Sequence, residues 1–267
     1  MNTCLSVNSD DFGLSPAINR GIMVAYNQGI LTDASLMANG PAFDQAVALC
    51  RGTGLGIAAH VNLVRGPMLT PMDTPGSVTR LWRRFALQAR FRLAVEKEVR
   101  AQVEKIAACG LKIGQINGEK HGHFFPPLFA LFVRVAEAYR LPYIRFIREW
   151  NLRPALQGLK ANLLSAFSLA NGRALAHSSL SCARYFTGIL ATGRLDNELL
   201  ARMLRRLRPG WTECMVHVGY QGEIDPVMGR YFLASTRELE LNALVHPAIT
   251  RLVKENGILL KSFGRNA

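Results

Sequence analysis

The sequence predicts an α/β fold: a single (β/α) barrel-like domain with mostly parallel strands and a helical insertion at about 151–183. Three observations predict it. Short apolar runs of strand length alternate with stretches of helical periodicity along all 267 residues, the order that builds parallel sheets. No internal repeat or low-complexity linker divides the chain. Acidic and histidine side chains fall where four predicted strands end, and in (β/α) folds those ends share the face that carries chemistry.

The first strand is the apolar run 3–7. It leads into Asn8-Ser9-Asp10-Asp11-Phe12-Gly13, after which Ser15 and Pro16 supply an N-cap and a first helical residue. Asp10 and Asp11 therefore stand where a strand gives way to a helix. Adjacent carboxylates repel unless a positive group lies beside them, and a metal ion is the usual one. A capping role in the turn is the plain alternative. The helix at 16–28 puts Ile18, Ile22 and Ala25 on one face. A second strand at 31–37, a turn at Asn39-Gly40-Pro41, a short helix at 43–50 and a third strand at 54–62 follow. His60 lies at the end of that third strand, the counterpart of Asp11 on the first.

A loop rich in Pro and Gly (65–79) precedes a long basic helical stretch, about 78–109. Its first half sets Trp82, Phe85 and Phe91 among Arg80, Arg83, Arg84, Arg90 and Arg92, the composition of a helix lying on a membrane surface. A solvated arginine face over a packed aromatic one is the alternative. The fourth strand, 112–117, leads to Gly118-Glu119-Lys120-His121-Gly122-His123. On an extended backbone, side chains two apart project together, so Glu119, His121 and His123 would converge as a metal-ligand set. A helix then runs from Pro126-Pro127 to about 139. The fifth strand, 143–147, brings Arg145 and Arg148, which would orient Asp10 or bind substrate; surface ion pairs are the alternative. A Leu/Ala-rich helical excursion (151–181), a helix at 196–207 and a strand at 212–217 ending in His217 come next. Helices at 237–244 and 248–256 and a strand at 258–261 complete the chain. His177 reads as incidental and His246 as structural.

The net charge of +13 implies an anionic partner. No nucleic-acid-binding motif accompanies it, which leaves an anionic membrane surface or an acidic substrate. The five cysteines are scattered without CxxC spacing and read as reduced thiols. No run of about 18 apolar residues appears, and the start lacks a basic region followed by an apolar one. The expectation is a cytoplasmic protein with peripheral contact at the inner membrane face. Homo-oligomerisation is left open.

Four stretches resemble the YdjC-like family of carbohydrate deacetylases, which includes chitooligosaccharide and hopanoid-biosynthesis-associated enzymes. Asn8-Ser9-Asp10-Asp11-Phe12-Gly13-Leu14-Ser15 is similar to the family's opening motif and Ala59-His60-Val61-Asn62-Leu63 to its second. Gly118-Glu119-Lys120-His121-Gly122-His123-Phe124-Phe125-Pro126 is similar to its histidine-rich third. His217-Val218-Gly219 resembles its late His-Pro-Gly element, with Val218 in place of proline. The resemblance implies a (β/α) barrel-like fold and hydrolysis of an N-acetyl sugar with a divalent metal, magnesium or zinc. It implies Asp11 and His60 as metal ligands, Asp10 as the base and His217 as an acid that starts the step protonated. Glu119 stands where the family has a metal-binding histidine, so the third ligand is Glu119 or His121. His123, Arg145 and Arg148 are then candidates for contact with substrate. The basic, aromatic stretch adds the expectation of a lipid-linked or membrane-presented N-acetyl glycan. The rivals are another metal-dependent hydrolase, such as a phosphoesterase, and a non-catalytic glycan- or lipid-binding protein with a modified metal site.

Overall fold

A ten-residue strand, β1 (Thr3–Phe12), runs through the middle of the sheet and organises it. The computed structural model describes residues 2–150, 156–221 and 234–264. After β1 come α1 (Pro16–Gln28), β2 (Asp33–Leu36), α2 (Phe43–Cys50), β3 (Gly56–Val61), α3 (Val78–Leu87), α4 (Ala89–Ala108) and β4 (Ile113–Gly118). A 3-10 turn (Glu119–Phe124) then leads to α5 (Pro126–Ala138), β5 (Tyr143–Ile144), α6 (Leu156–Ala176) and β6 (Tyr185–Thr187). The described remainder is α7 (Asn197–Leu204), β7 (Gly210–Val216), α8 (Ala234–Val245), α9 (Pro247–Glu255) and β8 (Leu259–Leu260).

Every strand pairing among the described residues is parallel, in the order β5-β4-β3-β2-β1-β7-β6. β7 takes one edge of β1 from Thr3 to Ser9. On the other edge β2 pairs with its later residues and β8 with Cys4 and Leu5. The two outer strands approach one another: Tyr143 of β5 bridges Ser181, four residues before β6, and Ile144 N–H donates to the Ser181 carbonyl at 3.0 Å. The result is the barrel-like α/β fold that the alternating order predicts.

Alternation along the strands sorts apolar from polar. On β1, Leu5 and Val7 belong to the apolar core, whereas Asn8 and Asp10 enter a polar network. Asn8 donates to Gln115 at 3.1 Å, Gln115 donates to Glu213 at 3.0 Å, and Asn117 donates to Ser35 at 2.9 Å. A polar network this deep is tolerable because its members satisfy one another.

Local chemistry sets the helix starts. Ser15 accepts from Ile18 N–H and Pro16 opens α1, whose buried face includes Ile18, Ile22 and Ala25. Ser77 caps α3 in the same way through Arg80 N–H. The stretch expected as one helix over 78–109 is two, because Gln88 adopts an extended backbone (φ −120°, ψ 107°). Phe85 and Phe91 lie in the core at 4% and 5% exposure. The arginine-rich stretch thus has a packed aromatic face, the plainer of its two sequence readings.

The fifth strand is shorter than the expected 143–147, and β6 has no counterpart in the sequence reading. Among the described residues its three pair with β7, too brief a run for periodicity to mark. The helical stretch expected as an insertion is α6; its first residues, 151–155, lie outside the described ones. Standing between β5 and β6, α6 also serves as their crossover.

Candidate functional site

Two neighbouring side chains on a regular strand point to opposite faces, so Asp10 and Asp11 could not both serve one site on an ideal β1. The strand breaks register between Ser9 and Phe12 opposite β2, and Asp11 takes a left-handed conformation (φ 71°). Aspartate tolerates that region better than most residues. Both carboxylates consequently line the same cavity of about 370 Å³, together with His60 and His217.

Asp10 is gripped by Arg145, whose Nη1 and Nη2 donate to Oδ2 and Oδ1 at 2.7 and 2.9 Å. Arg145 is fully buried, and its Nε donates to Glu213 at 2.8 Å. Burial opposes the charge on Asp10, but Arg145, with His60 and His217, outweighs it and holds the carboxyl well below the usual range. Asp11 is balanced likewise by Arg237 of α8, whose Nη2 donates to Oδ2 at 2.5 Å. Its other oxygen, Oδ1, lies 3.6 Å from His60 Nε2. His60 Nδ1 sits 2.5 Å from Asn117 Oδ1, which fixes the ring and turns Nε2 to the cavity. Burial works against a charged imidazole there; Asp10 and Asp11 overcome it and raise His60 to about 8.

His217 follows β7. Its backbone N–H donates to Glu240 of α8 at 2.6 Å, and burial pushes that carboxyl up to about 7. The enclosed position of the His217 ring lowers it to about 4, against the pull of Asp11 and Asp10. That direction favours the neutral imidazole, whereas the resemblance implies an acid protonated at the start of the step. The loop beyond it meets α1 closely: a Cβ on Gly21 would stand 2.5 Å from the Gly219 Cα, so only glycine fits at position 21.

The stretch after β4 is not extended. Lys120 and His121 take left-handed angles (φ 51° and 60°) within the 3-10 turn, and the spacing-two convergence of Glu119, His121 and His123 does not form. Glu119 and His121 reach the cavity, and His123 is turned away from it. The His123 ring lies 4.4 Å from Phe124 and 5.3 Å from Phe132, centroid to centroid. Burial pushes it down to about 3. Arg148, the other expected substrate contact, is exposed and lies 4.7 Å above the Phe146 ring, outside the cavity lining.

Several residues in or behind the cavity were not assigned to the site from the sequence. Arg65 donates to Glu119 Oε1 at 2.7 Å, with the carboxylate side chain 1% exposed. Asn62 sets Arg65 there by accepting from Arg65 N–H and donating to its carbonyl. Arg237 and Glu240 arrive from α8, some 200 residues away in sequence from Asp11. Lys160 reaches in from α6 beside Leu163 and Leu164. Trp82, read as a membrane-facing aromatic, lines the cavity and donates from Nε1 to the Gly122 carbonyl at 2.7 Å.

The family described as YdjC-like protein matches residues 4–255, which takes in every motif of this site. The chain belongs to the YdjC-like family. A carbohydrate deacetylase of Geobacillus stearothermophilus is 30% identical to this YdjC-like protein over 96% of the chain and 95% of the relative. One from Brevibacillus brevis is 36% identical over 144 residues, 52% of this chain and 57% of that one. Among solved structures, an Enterococcus faecalis V583 protein superimposes with a TM-score of 0.73 at 20% identity, covering 98% of each chain; that likeness establishes the barrel-like fold of the YdjC-like chain.

Proposed function

We propose that this YdjC-like protein hydrolyses the acetyl group from an N-acetylated sugar. The observation that carries the reading is the convergence of Asp10, Asp11, His60 and His217, from the ends of three strands, on one cavity wall. The full-length similarity to a carbohydrate deacetylase supports the same substrate class.

The family resemblance implies a divalent metal, and the donor set tests it. Asp11 and His60 offer two donors. The second oxygen of Asp11 is taken by Arg237 and Oε1 of Glu119 by Arg65. His121 lines the cavity, but among the described residues no group of three His, Cys, Asp or Glu side chains converges as a metal cage. The residues as arranged do not fit a three-donor metal, and no step is routed through one.

Asp10, ionised and aimed by Arg145, is the proposed proton acceptor for the attacking water. The departing amine takes up the proton that Asp10 accepted from water, with His217, on the same cavity wall, as the proposed carrier between them. The amide C–N bond breaks as the new C–O bond forms, releasing acetate and the free amine. Acetate release from a panel of N-acetylated oligosaccharides, set beside phosphate release from sugar phosphates, tests the reaction class. Release of phosphate alone would replace this reading with a phosphoesterase.

The proposal extends to a lipid-linked or membrane-presented sugar. Exposed Leu159 and Leu163 on α6, at 68% and 46%, stand beside the cavity-lining Lys160 and Leu164 and support it. The buried Phe85 and Phe91 do not. A second reading, glycan binding without turnover, is favoured by one observation, the Arg65 side chain seated on Glu119.

A further inference from the structure

Glu240 sits on α8, about one helical turn after Arg237, the partner of Asp11. It is 2% exposed and stands behind the cavity wall rather than in it. Each of its carboxylate oxygens accepts from a different loop. Oε2 takes the His217 N–H at 2.6 Å, beyond β7, and Oε1 takes the Gly193 N–H at 2.9 Å, beyond β6. Only an ionised carboxyl accepts at both oxygens; the two N–H groups and Arg237 favour that form against burial. Next along the chain from His217, Val218 N–H donates to Ser9 Oγ at 3.3 Å, and Ser9 directly precedes Asp10 on β1. The backbone at His217 is thus tied to α8 on one side and to the Asp10 strand on the other. α8 is itself anchored, because Leu241 and Leu244 are buried in the core. Thr192, which adjoins Gly193, lines the same cavity as Asp10 and His217.

We propose that Glu240 is a positioning residue, whose carboxylate sets His217 against Asp10 for proton transfer and holds the Thr192 side of the cavity in register with them. The inference rests on the deacetylase reading. A histidine that loses one of its two backbone tethers swings, and misplacement on the order of 1 Å costs up to about a hundredfold in rate.

The test compares native protein with Glu240→Gln and Glu240→Leu. Acetate release from N-acetylated oligosaccharides is measured per folded chain, and residue-resolved amide exchange is followed separately by NMR. Glutamine keeps the shape and offers one accepting oxygen, so one tether is lost. Its kcat is expected to fall roughly tenfold or more, with KM within about twofold of native. Exchange at the His217 or the Gly193 amide is expected to rise roughly tenfold or more. Leucine removes both tethers and is expected to lower kcat further, so that glutamine restores part of what leucine loses. A native kcat in folded Glu240→Gln overturns the proposal, as does a loss that appears in KM alone. So does unchanged exchange at both amides. Glu240→Gln decides the matter alone should Glu240→Leu fail to fold. Native protein that releases no acetate overturns the deacetylase reading and this inference together, whereas native release with an unimpaired Glu240→Gln overturns this inference alone.

Discussion

Asp10 and Arg145 show how one buried pair serves both chemistry and stability. The bidentate grip keeps Asp10 ionised and aimed, and Glu213 holds the third guanidinium nitrogen. Removing the arginine strands two buried carboxylates, so Arg145→Met is expected to destabilise the fold by about 3–5 kcal/mol. Urea denaturation at neutral pH checks this, and a loss under 1 kcal/mol would mean that water compensates the pair. Asp10→Asn keeps the shape and removes the charge; it is expected to lower acetate release by roughly a hundredfold or more while the fold persists. Turnover equal to native would remove Asp10 from its proposed role. Asp10, Asp11, His60 and His217 were legible because each stands at a strand end in a short, unusual motif. Arg237 and Glu240 were not, since a charged residue on a helix usually reads as solvated surface.

The turn after β4 carries the main departure at the scale of an element. Two residues with positive φ send Glu119 and His121 to the cavity and His123 into a cluster of phenylalanines. Spacing in the sequence predicts convergence only for an extended backbone, and nothing in Gly-Glu-Lys-His-Gly-His announces two left-handed residues. A Cβ at Gly118 would press to 2.9 Å from His123 Nδ1, so the glycine there makes room for the ring. His123 then has a pH signature. Its folded value of about 3 lies below the ordinary unfolded one, so below about pH 6.5 the unfolded chain takes up a proton that the folded chain refuses. Stability falls as pH drops, by up to about 1.4 kcal/mol per unit from this residue. His123→Phe is expected to escape that loss, its margin over native protein widening between pH 7 and pH 5 in denaturation curves. A margin that stays flat would mean the ring is protonated when buried.

At the scale of the whole molecule, an all-parallel sheet gathers the strand ends to one face and so gathers the chemistry. α3 and α6 meet over that face through Trp82 and Phe167, 5.4 Å apart edge to face. The exposed leucines of α6 and the exposed Arg80 and Arg83 of α3 belong to elements that line the cavity, and Arg90 and Arg92 continue the exposed charge onto α4. No helix among the described residues is long and apolar enough to cross a membrane; the proposed contact is peripheral. The protein is expected to sediment with anionic liposomes at low salt and to be released as salt screens the charge. Failure to sediment at low salt would leave a water-borne glycan as the proposed substrate.

The sequence by itself determined the alternating α/β order and the chain positions of the four strand-end motifs. Those are local: hydrophobic period, caps and turns act over a few residues. Tertiary structure decided which charges meet. Arg145, Arg237 and Arg65 each neutralise a carboxylate far away along the chain, and only the fold brings such partners within hydrogen-bond reach. Whether Glu119 is a metal ligand or an arginine's partner is set by that packing, because a carboxylate serves either and its neighbours choose.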